Sequence, residues 1–216
     1  MRWRATNTPD RPEASSGGAT DPVVAAAVRT AAEFLADAGY DVREVEPPSW
    51  NDALTTWMSL LLGDFASIRA ELNAVMGPSG TAVLDATYAL APRMDPKGLS
   101  GVFVHRHRIA REWSMFFVDY PLLLTPTWAR LPFEHGFDAD SVEGTAASLE
   151  ALRPVWPANL LGLPSACVPA TRDAETGLPI GVLVTGARAD DFLCLDAAEA
   201  IEARSTVRTP IDPITA

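Results

Sequence analysis

Residues 164–186 read PSACVPATRDAETGLPIGVLVTG and contain two apolar runs separated by a polar segment. The runs PSACVPA and PIGVLVTG include several β-branched residues, and the segment TRDAETGL between them carries the aspartate and glycine that favour turns. Together they predict a β-hairpin. The residues that follow, from Asp190 to about Ala203, repeat apolar side chains at helical spacing and predict a helix that closes the domain.

A helix and a strand are also predicted near the other end of the chain. Thr20 or Asp21 can cap a helix whose first position is Pro22, and Gly39 follows its last turn. The next segment, DVREVEPP, predicts a short strand that two prolines stop. A helix, a glycine and a strand in this order form an α/β unit.

Between these ends the pattern is mainly helical. Helices are predicted over residues 52–75, 78–91 and 99–120, the last with Phe103, His107, Ala110, Ser114 and Phe117 near one stripe. The apolar LLLTPT that follows predicts a buried strand, and residues 132–148 are predicted to be a loop. We therefore predict one α/β domain over residues 21–216, preceded by a disordered leader at residues 1–20.

Composition and charge exclude several classes of partner. Of the 216 residues, 48% are hydrophobic and 21% charged, and the formal net charge is −11. Binding to nucleic acid or to an anionic membrane requires clustered cations, so neither is predicted as a partner. No apolar run approaches the roughly 20 residues that span a bilayer.

The two cysteines, Cys167 and Cys194, lie among apolar residues and are predicted to be buried free thiols, as in cytoplasmic proteins.

The spacing of the histidines and acidic residues in the sequence does not match that of a metal site. His105 and His107 are two residues apart, so on a helix they point to different faces, and one of them is predicted to turn inward. His135 stands alone in a predicted loop. An acidic stretch is interpreted as a solvated surface; its members are Glu134, Asp138, Asp140 and Glu143. We predict no metal and no cofactor.

The stretch EASSGG at residues 13–18 allows two interpretations from its residues alone. Adjacent serines and glycines suit a catalytic loop in which backbone amides approach a reacting carbonyl. The same small polar residues suit a flexible linker. Lysine-dependent catalysis has a single candidate, because Lys97 is the only lysine beside sixteen arginines.

Three segments resemble the amidase signature family, and the resemblance extends over about residues 20–213. They are DPVVAAAVRTAAEFLADAGYDVREVEPP (21–48), FFVDYPLLLTPTWARLP (116–132) and PANLLGLPSACVPATRDAETGLPIGVLVTGARADDFLCLDAAEAIE (157–202). The tail TPIDP is similar to that of bacterial members. The resemblance implies an α/β sandwich in which helices flank a mixed sheet. It also implies amide hydrolysis by a serine nucleophile, a second bridging serine and a lysine, without metal or cofactor.

The catalytic part of the family pattern is not matched. Ser15 and Ser16 with the two glycines that follow resemble the family's SSGG, but Glu13 and Ala14 stand where the family has glycines. No element similar to the family's nucleophile follows them, and Lys97 matches no family position. We therefore assign no catalytic residue and interpret EASSGG as part of the flexible leader.

The resemblance leads to the expectation that this chain is the C-terminal half of an amidase, inactive alone and acting on a small amide only when an N-terminal half completes it. A truncated gene product and one piece of a split enzyme both fit. By resemblance, five residues approach the substrate: Thr125, Pro126, Thr127, Asn159 and Gly162. The alternative is a non-catalytic module that docks on a separately encoded N-terminal half of the amidase. The third option is a small-molecule-binding domain with its own function. Exposed apolar faces are expected to favour a homodimer.

Overall fold

The computed structural model describes residues 2–5, 20–90 and 96–207, with the backbone alone for residues 2–5 and 96–97. The strands are β1 (Arg2–Ala5), β2 (Asp41–Glu44), β3 (Leu122–Pro126), β4 (Ser165–Arg172) and β5 (Pro179–Gly186). The helices are α1 (Pro22–Asp37), α2 (Trp50–Ser67), α3 (Arg69–Val75), α4 (Pro78–Leu90), α5 (Pro96–Asp119), α6 (Phe137–Asp140), α7 (Val142–Leu152), α8 (Trp156–Leu161) and α9 (Asp191–Glu202). EASSGG and the tail TPIDP lie outside the described residues.

The strands form one sheet in the order β2-β1-β3-β5-β4. Strand β1 is parallel to both β2 and β3, whereas β5 is antiparallel to both β3 and β4. The predicted α/β class with a mixed sheet flanked by helices is therefore confirmed. Residues 2–5 differ from the predicted disordered leader, because their backbone pairs on both sides within the sheet. The sequence RWRA has no apolar run, so the pattern did not indicate this strand.

The predicted hairpin is confirmed as β4 and β5. Side chains alternate along β4, so that Ala166, Val168 and Ala170 are buried against one helical layer. The turn is held by Asp173, whose carboxylate accepts hydrogen bonds from the Thr176 hydroxyl at 2.6 Å and the Thr176 amide at 2.8 Å. These bonds lower the pKa of Asp173, since they stabilise its charged form.

Helices α1 and α9 cover one face of the sheet. The carboxylate of Asp21 caps α1 by accepting a hydrogen bond from the Val23 amide at 3.1 Å, and Gly39 follows the helix at φ +94°. Both predictions for this helix are confirmed. The core on this face is apolar and includes Val28, Ala31, Leu35, Leu122, Leu124, Val168, Val182, Val184, Cys194, Ala197 and Ile201.

Helices α2, α5 and α8 pack on the other face, around Leu123 of β3. The buried stripe of α5 consists of Ile109, Trp113 and Phe117. The predicted stripe is confirmed at Phe117 and was wrong at Phe103, His107 and Ser114, which are exposed; Ala110 packs against the same cluster. His105 is exposed as well. The predicted inward histidine is not present, because the large apolar side chains take the positions that face the sheet.

Two further boundaries differ from the sequence predictions. The helix predicted over residues 52–75 is divided at Ile68 into α2 and α3, and residues 132–148, predicted as a loop, include α6 and most of α7. Ser141 caps α7 by accepting a hydrogen bond from the Gly144 amide at 2.9 Å. In the described part of the chain, no helix has both the length and the apolar character required to cross a membrane.

Candidate functional site

The segment at the end of β3 carries three of the five residues that sequence analysis selects. Thr125 and Thr127 lie two residues apart and project to the same face, and the Thr127 amide continues the pairing by donating to the Gly181 carbonyl at 3.3 Å. Pro126 is buried and lies opposite Val182, whose side chain belongs to the core beneath α1 and α9. The structure therefore brings the two threonines together and places Pro126 on the opposite face of the sheet.

Small hydroxyl and thiol side chains share the threonine face across three strands. Residues directly opposite each other in an antiparallel pair project to the same face. Thr125 and Cys167 both lie opposite Leu183, while Ser165 lies opposite Thr185, and a 2.9 Å hydrogen bond joins the two hydroxyls of that second pair. We call this surface the polar sheet face and define it by Thr125, Thr127, Ser165, Cys167 and Thr185.

Gly181 forms a notch in the polar sheet face. The Thr127 Oγ1 and Cys167 Sγ atoms lie 3.1 Å apart, and a Cβ added at Gly181 would lie 3.3 Å from each of them. Such contacts are tight, so a side chain at this position would displace the hydroxyl or the thiol. The notch therefore has a backbone floor, with one hydroxyl and one thiol at its rim.

Three buried polar side-chain groups have no hydrogen-bond partner among the described residues. They are the Thr125 hydroxyl, the Trp128 indole N–H and the Ser148 hydroxyl. Thr125 is only 3% exposed. Leaving a buried donor or acceptor unpaired costs about 1–3 kcal/mol, so native structures rarely do so without a reason. Of the three groups, the Thr125 hydroxyl is the one that belongs to the polar sheet face.

Asn159 and Gly162 lie at the end of α8, on the connection to β4. Gly162 has φ +64°, a left-handed conformation that lets the chain leave the helix. Asn159 is exposed, and within the described residues neither position hydrogen-bonds to Thr125 or Thr127. The structure thus does not join these two predicted residues to the threonines by direct contact.

Two arginines hold this end of α8. Arg188 donates to the Leu161 carbonyl at 2.8 Å, and the Arg106 Nε donates to the Leu160 carbonyl, also at 2.8 Å. Cations at a helix C-terminus satisfy its free carbonyls and complement its dipole. The position of the turn at Gly162 is therefore set by α5 and by the loop after β5.

Replacing Arg188 by glutamine is expected to loosen this turn. The change removes the charge-assisted bond to Leu161 and should lower the free energy of unfolding by about 1 kcal/mol. The control is Arg204→Gln, because Arg204 reaches the Ala200 carbonyl at the end of α9 only at 3.4 Å. Urea denaturation measures both. Equal unfolding midpoints for the two variants would contradict the assigned role of Arg188.

Sequence analysis missed Ser165, Cys167 and Thr185. Cys194 is buried as predicted, and burial raises the pKa of its thiol to about 11. The same prediction was wrong for Cys167, which is exposed. The available signal was the alternation in SACVPA: with Ala166 and Val168 in the core, the side chain between them must face the other way.

The remaining sequence candidates do not add to the site. The four acidic residues predicted to be a solvated surface are exposed, as expected; they are Glu134, Asp138, Asp140 and Glu143. In the described ranges, no three histidine, cysteine or acidic side chains come close enough together to hold a metal ion. Lys97 lies in the first turn of α5, and its side chain is outside the described part.

Comparison with known proteins identifies the family. The model of the Amidase family matches residues 13–195, a range that includes EASSGG. An indoleacetamide hydrolase of Bradyrhizobium diazoefficiens (strain JCM 10833 / USDA 110) is 35% identical over 192 residues, which cover 87% of this chain and 36% of the relative. A glutamyl-tRNA(Gln) amidotransferase subunit of Synechococcus sp. (strain CC9311) is 30% identical and covers 87% of this chain and 42% of the relative.

The fold is also similar to that of solved structures, and again this chain corresponds to only part of the other protein. A 6-aminohexanoate cyclic dimer hydrolase complexed with substrate superposes with a TM-score of 0.72 at 21% identity, covering 95% of this chain and 45% of that chain. This likeness concerns the fold alone. The chain spans about two fifths of the length of the curated relatives it matches. The family match over most of the sequence shows that the chain belongs to the amidase family.

Proposed function

We propose that residues 20–207 form the C-terminal part of an amidase domain, which hydrolyses the C–N bond of carboxylic amides. The polar sheet face would supply part of the wall against which the acyl group lies. Family membership supports the reaction class. The observation that carries the site is the buried hydroxyl of Thr125, which has no partner among the described residues, on a face where Ser165 and Cys167 are exposed.

The polar sheet face has the groups that an amide requires. The hydroxyls of Thr125 and Thr127 can donate to a carbonyl oxygen or accept from an amide N–H. In this proposal Pro126 fixes the backbone between the threonines from the opposite face, and Asn159 and Gly162 shape the turn that leads into β4.

The catalytic groups would come from a segment that is not among these 216 residues. Activation of a serine by a neutral lysine through a bridging serine needs all three groups within hydrogen-bonding distance. The chain offers Ser15 and Ser16 without the family's flanking glycines, and a single lysine at the start of α5. We therefore propose that the 216 residues alone do not hydrolyse amides.

The purified chain is accordingly expected to show no turnover of indole-3-acetamide, of an anilide or of an alkyl amide above the buffer rate. Liquid chromatography of the carboxylic acid product measures this. A chain with Ser15→Ala, Ser16→Ala and Lys97→Ala serves as the matched control. Turnover by the parent chain that this triple variant abolishes would refute the proposed inactivity.

Activity should appear when the missing segment is supplied. A chimera that replaces the matching C-terminal part of the Bradyrhizobium indoleacetamide hydrolase by residues 20–207 is expected to hydrolyse indole-3-acetamide. Thr125→Val in the chimera should raise KM or lower kcat, because it removes the unpaired hydroxyl at nearly constant volume. An inactive chimera whose circular dichroism spectrum shows that it is folded would contradict the proposed reaction.

The net charge of −11 favours a small amide over a transfer-RNA substrate.

A second candidate is a module that docks on a separately encoded N-terminal half of the amidase. One observation favours it: the outer surface of α5 exposes Val104, Met115 and Val118 by 67%, 63% and 72%. Such a stripe on a helix commonly contacts another protein. Mixing the chain with the separately expressed N-terminal segment tests this by size-exclusion chromatography. Co-elution that Met115→Glu abolishes would support docking through α5.

A further inference from the structure

The outer side of α5 carries a row of four exposed side chains, two basic and two apolar. The row lies opposite the buried positions Ile109 and Trp113, because residues three or four apart share one side of a helix. Both apolar members have more than half of their surface exposed, and both arginines are exposed as well. We call this surface the α5 stripe; it consists of Arg108, Arg111, Met115 and Val118.

The outer side of α9 carries a similar row in which the charges are negative. It lies opposite the buried positions Ala197 and Ile201. Its two apolar side chains, Phe192 and Leu195, are 81% and 56% exposed, and its two glutamates are exposed. We call this surface the α9 stripe; it consists of Phe192, Leu195, Glu199 and Glu202.

The two stripes match when the helices run in opposite directions. From Phe192 forwards, α9 presents two apolar residues and then two glutamates, at steps of three, four and three residues. From Val118 backwards, α5 presents two apolar residues and then two arginines at the same steps. Each stripe is about 15 Å long, since a helix rises about 1.5 Å per residue. An antiparallel pair of these helices therefore sets apolar side chains against apolar ones and each arginine against a glutamate.

The charged members of the stripes differ in how far they are already paired. Arg108 forms ion pairs within its own chain, with Asp52 and with Glu112. Arg111 and Glu199 form no ion pair among the described residues, and they take corresponding positions in the antiparallel arrangement. The pair that a second molecule can complete is therefore Arg111 with Glu199.

The two stripes cannot meet within one molecule, because α9 covers one face of the sheet and α5 the other. We propose that they join copies of this chain head to tail, with the α5 stripe of one copy antiparallel to the α9 stripe of the next. Each end of such an assembly keeps one stripe free, so the contact builds open assemblies rather than a closed dimer. An interface of two such stripes is at the small end of specific interfaces, and we expect association at micromolar concentrations.

This contact does not depend on the proposed amidase function, because neither stripe contains a residue of the polar sheet face. Docking of an N-terminal amidase half on α5 would cover the α5 stripe and block the self-association. The chain alone is therefore the material for the test.

Sedimentation velocity of the full chain between about 1 and 200 µM measures the association. At about 0.15 M salt the Debye length is about 8 Å, so the repulsion due to the net charge of −11 is screened whereas contacting pairs persist. We expect the weight-average sedimentation coefficient to rise with concentration. The control Val75→Glu should behave in the same way, because Val75 is exposed on α3, outside both stripes. A parent chain that stays monomeric over this range would leave the stripes to other proteins and would overturn the proposal.

Two variants distinguish the head-to-tail contact from symmetrical ones. Met115→Glu blocks the α5 stripe and Leu195→Glu blocks the α9 stripe, and each variant alone should be monomeric because every contact needs both stripes. Their equimolar mixture should form dimers and nothing larger, since each pair of molecules contains one intact stripe of each kind. Association of either variant alone to the extent of the parent chain would overturn the proposal, as would a mixture that stays monomeric.

The pairing of Arg111 with Glu199 has a test of its own. Arg111→Glu sets two carboxylates against each other and should weaken association at least about threefold. Adding Glu199→Arg restores the pair with reversed charges and should return the association constant to within about twofold of the parent chain. Association of the single variant equal to that of the parent chain, or no recovery in the double variant, would overturn the antiparallel register.

Discussion

Replacing Trp113 by alanine is expected to lower the free energy of unfolding by about 3–5 kcal/mol, a large part of the stability of a domain of this size. Trp113 is 1% exposed at the centre of the layer formed by α2, α5 and α8. Its ring lies 6.0 Å from the rings of both Trp50 and Phe117, and its indole N–H donates to the Pro48 carbonyl at 2.8 Å. The substitution removes all of these contacts at once.

Two companion variants separate the contributions to this effect. Trp113→Phe keeps an aromatic ring but leaves the Pro48 carbonyl without its donor, so we expect a loss of about 1–3 kcal/mol. Met115→Ala changes the exposed side of the same helix, where Met115 is 63% exposed, and should stay within about 0.5 kcal/mol of the parent chain. Urea denaturation measures all three. A midpoint for Trp113→Ala that matches Met115→Ala would show that this layer does not stabilise the fold.

The sequence predicted the parts of the fold that local patterns specify. Asp21, Pro22 and Gly39 mark the two ends of α1. Two apolar segments separated by turn-forming residues mark strands β4 and β5. Strand β1 was not predicted because its residues are neither apolar nor alternating, and only its two neighbours in the sheet make it a strand. The stripe of α5 was predicted only in part, at Phe117, because several aromatic residues allow more than one stripe, and contact with Leu123 selects one of them.

The candidate site shows the same division between local and non-local information. Thr125 and Thr127 were selected only because their segment resembles the family, and the structure places them on one face of the sheet. The position of Cys167 relative to them was not predictable in this way. The two segments lie 40 residues apart and are related only because β5 pairs with both strands. The lateral order β3-β5-β4 joins these two segments and β5 into one surface.

The two faces of the sheet differ in composition: the face beneath α1 and α9 is apolar, whereas the other face combines the apolar layer around Leu123 with hydroxyl and thiol side chains. Valine and leucine side chains of β3, β4 and β5 form the core beneath α1 and α9, and the hydroxyls and the Cys167 thiol face the other way. The helices on that second side meet Leu123 of the sheet but leave Ser165 and Cys167 exposed. Polar side chains at exposed positions are ordinary, but the buried Thr125 hydroxyl without a partner among the described residues is not, and it is the reason we propose this face as part of the substrate cleft.

Replacing Gly144 by alanine is expected to lower the free energy of unfolding by about 3 kcal/mol, at the upper end of what overpacking usually costs. Gly144 is buried in the first turn of α7, where a Cβ would lie 2.1 Å from the Phe137 carbonyl oxygen. That atom belongs to the backbone, so no side-chain rotation can relieve the contact and α6 must move away from α7. The movement would also strain the bond from the Thr145 hydroxyl to the Asp138 carbonyl, 2.7 Å long.

Gly101→Ala provides the matched control for this prediction. Gly101 lies inside α5 and a Cβ there meets nothing within 4 Å, so alanine should raise stability by about 0.5–1 kcal/mol through its higher helix propensity. The same substitution is thus expected to act with opposite sign at two helical glycines, and thermal unfolding measures both. If Gly144→Ala were also stabilising, α6 would have to be free to shift.

Helix α7 also supports the loop after β3, because the Ala151 carbonyl accepts a hydrogen bond from the Ala129 amide at 2.8 Å. Ala129 follows Trp128 and Thr127 in that loop. A mobile α6–α7 corner would therefore remove the support for the loop that follows Thr127.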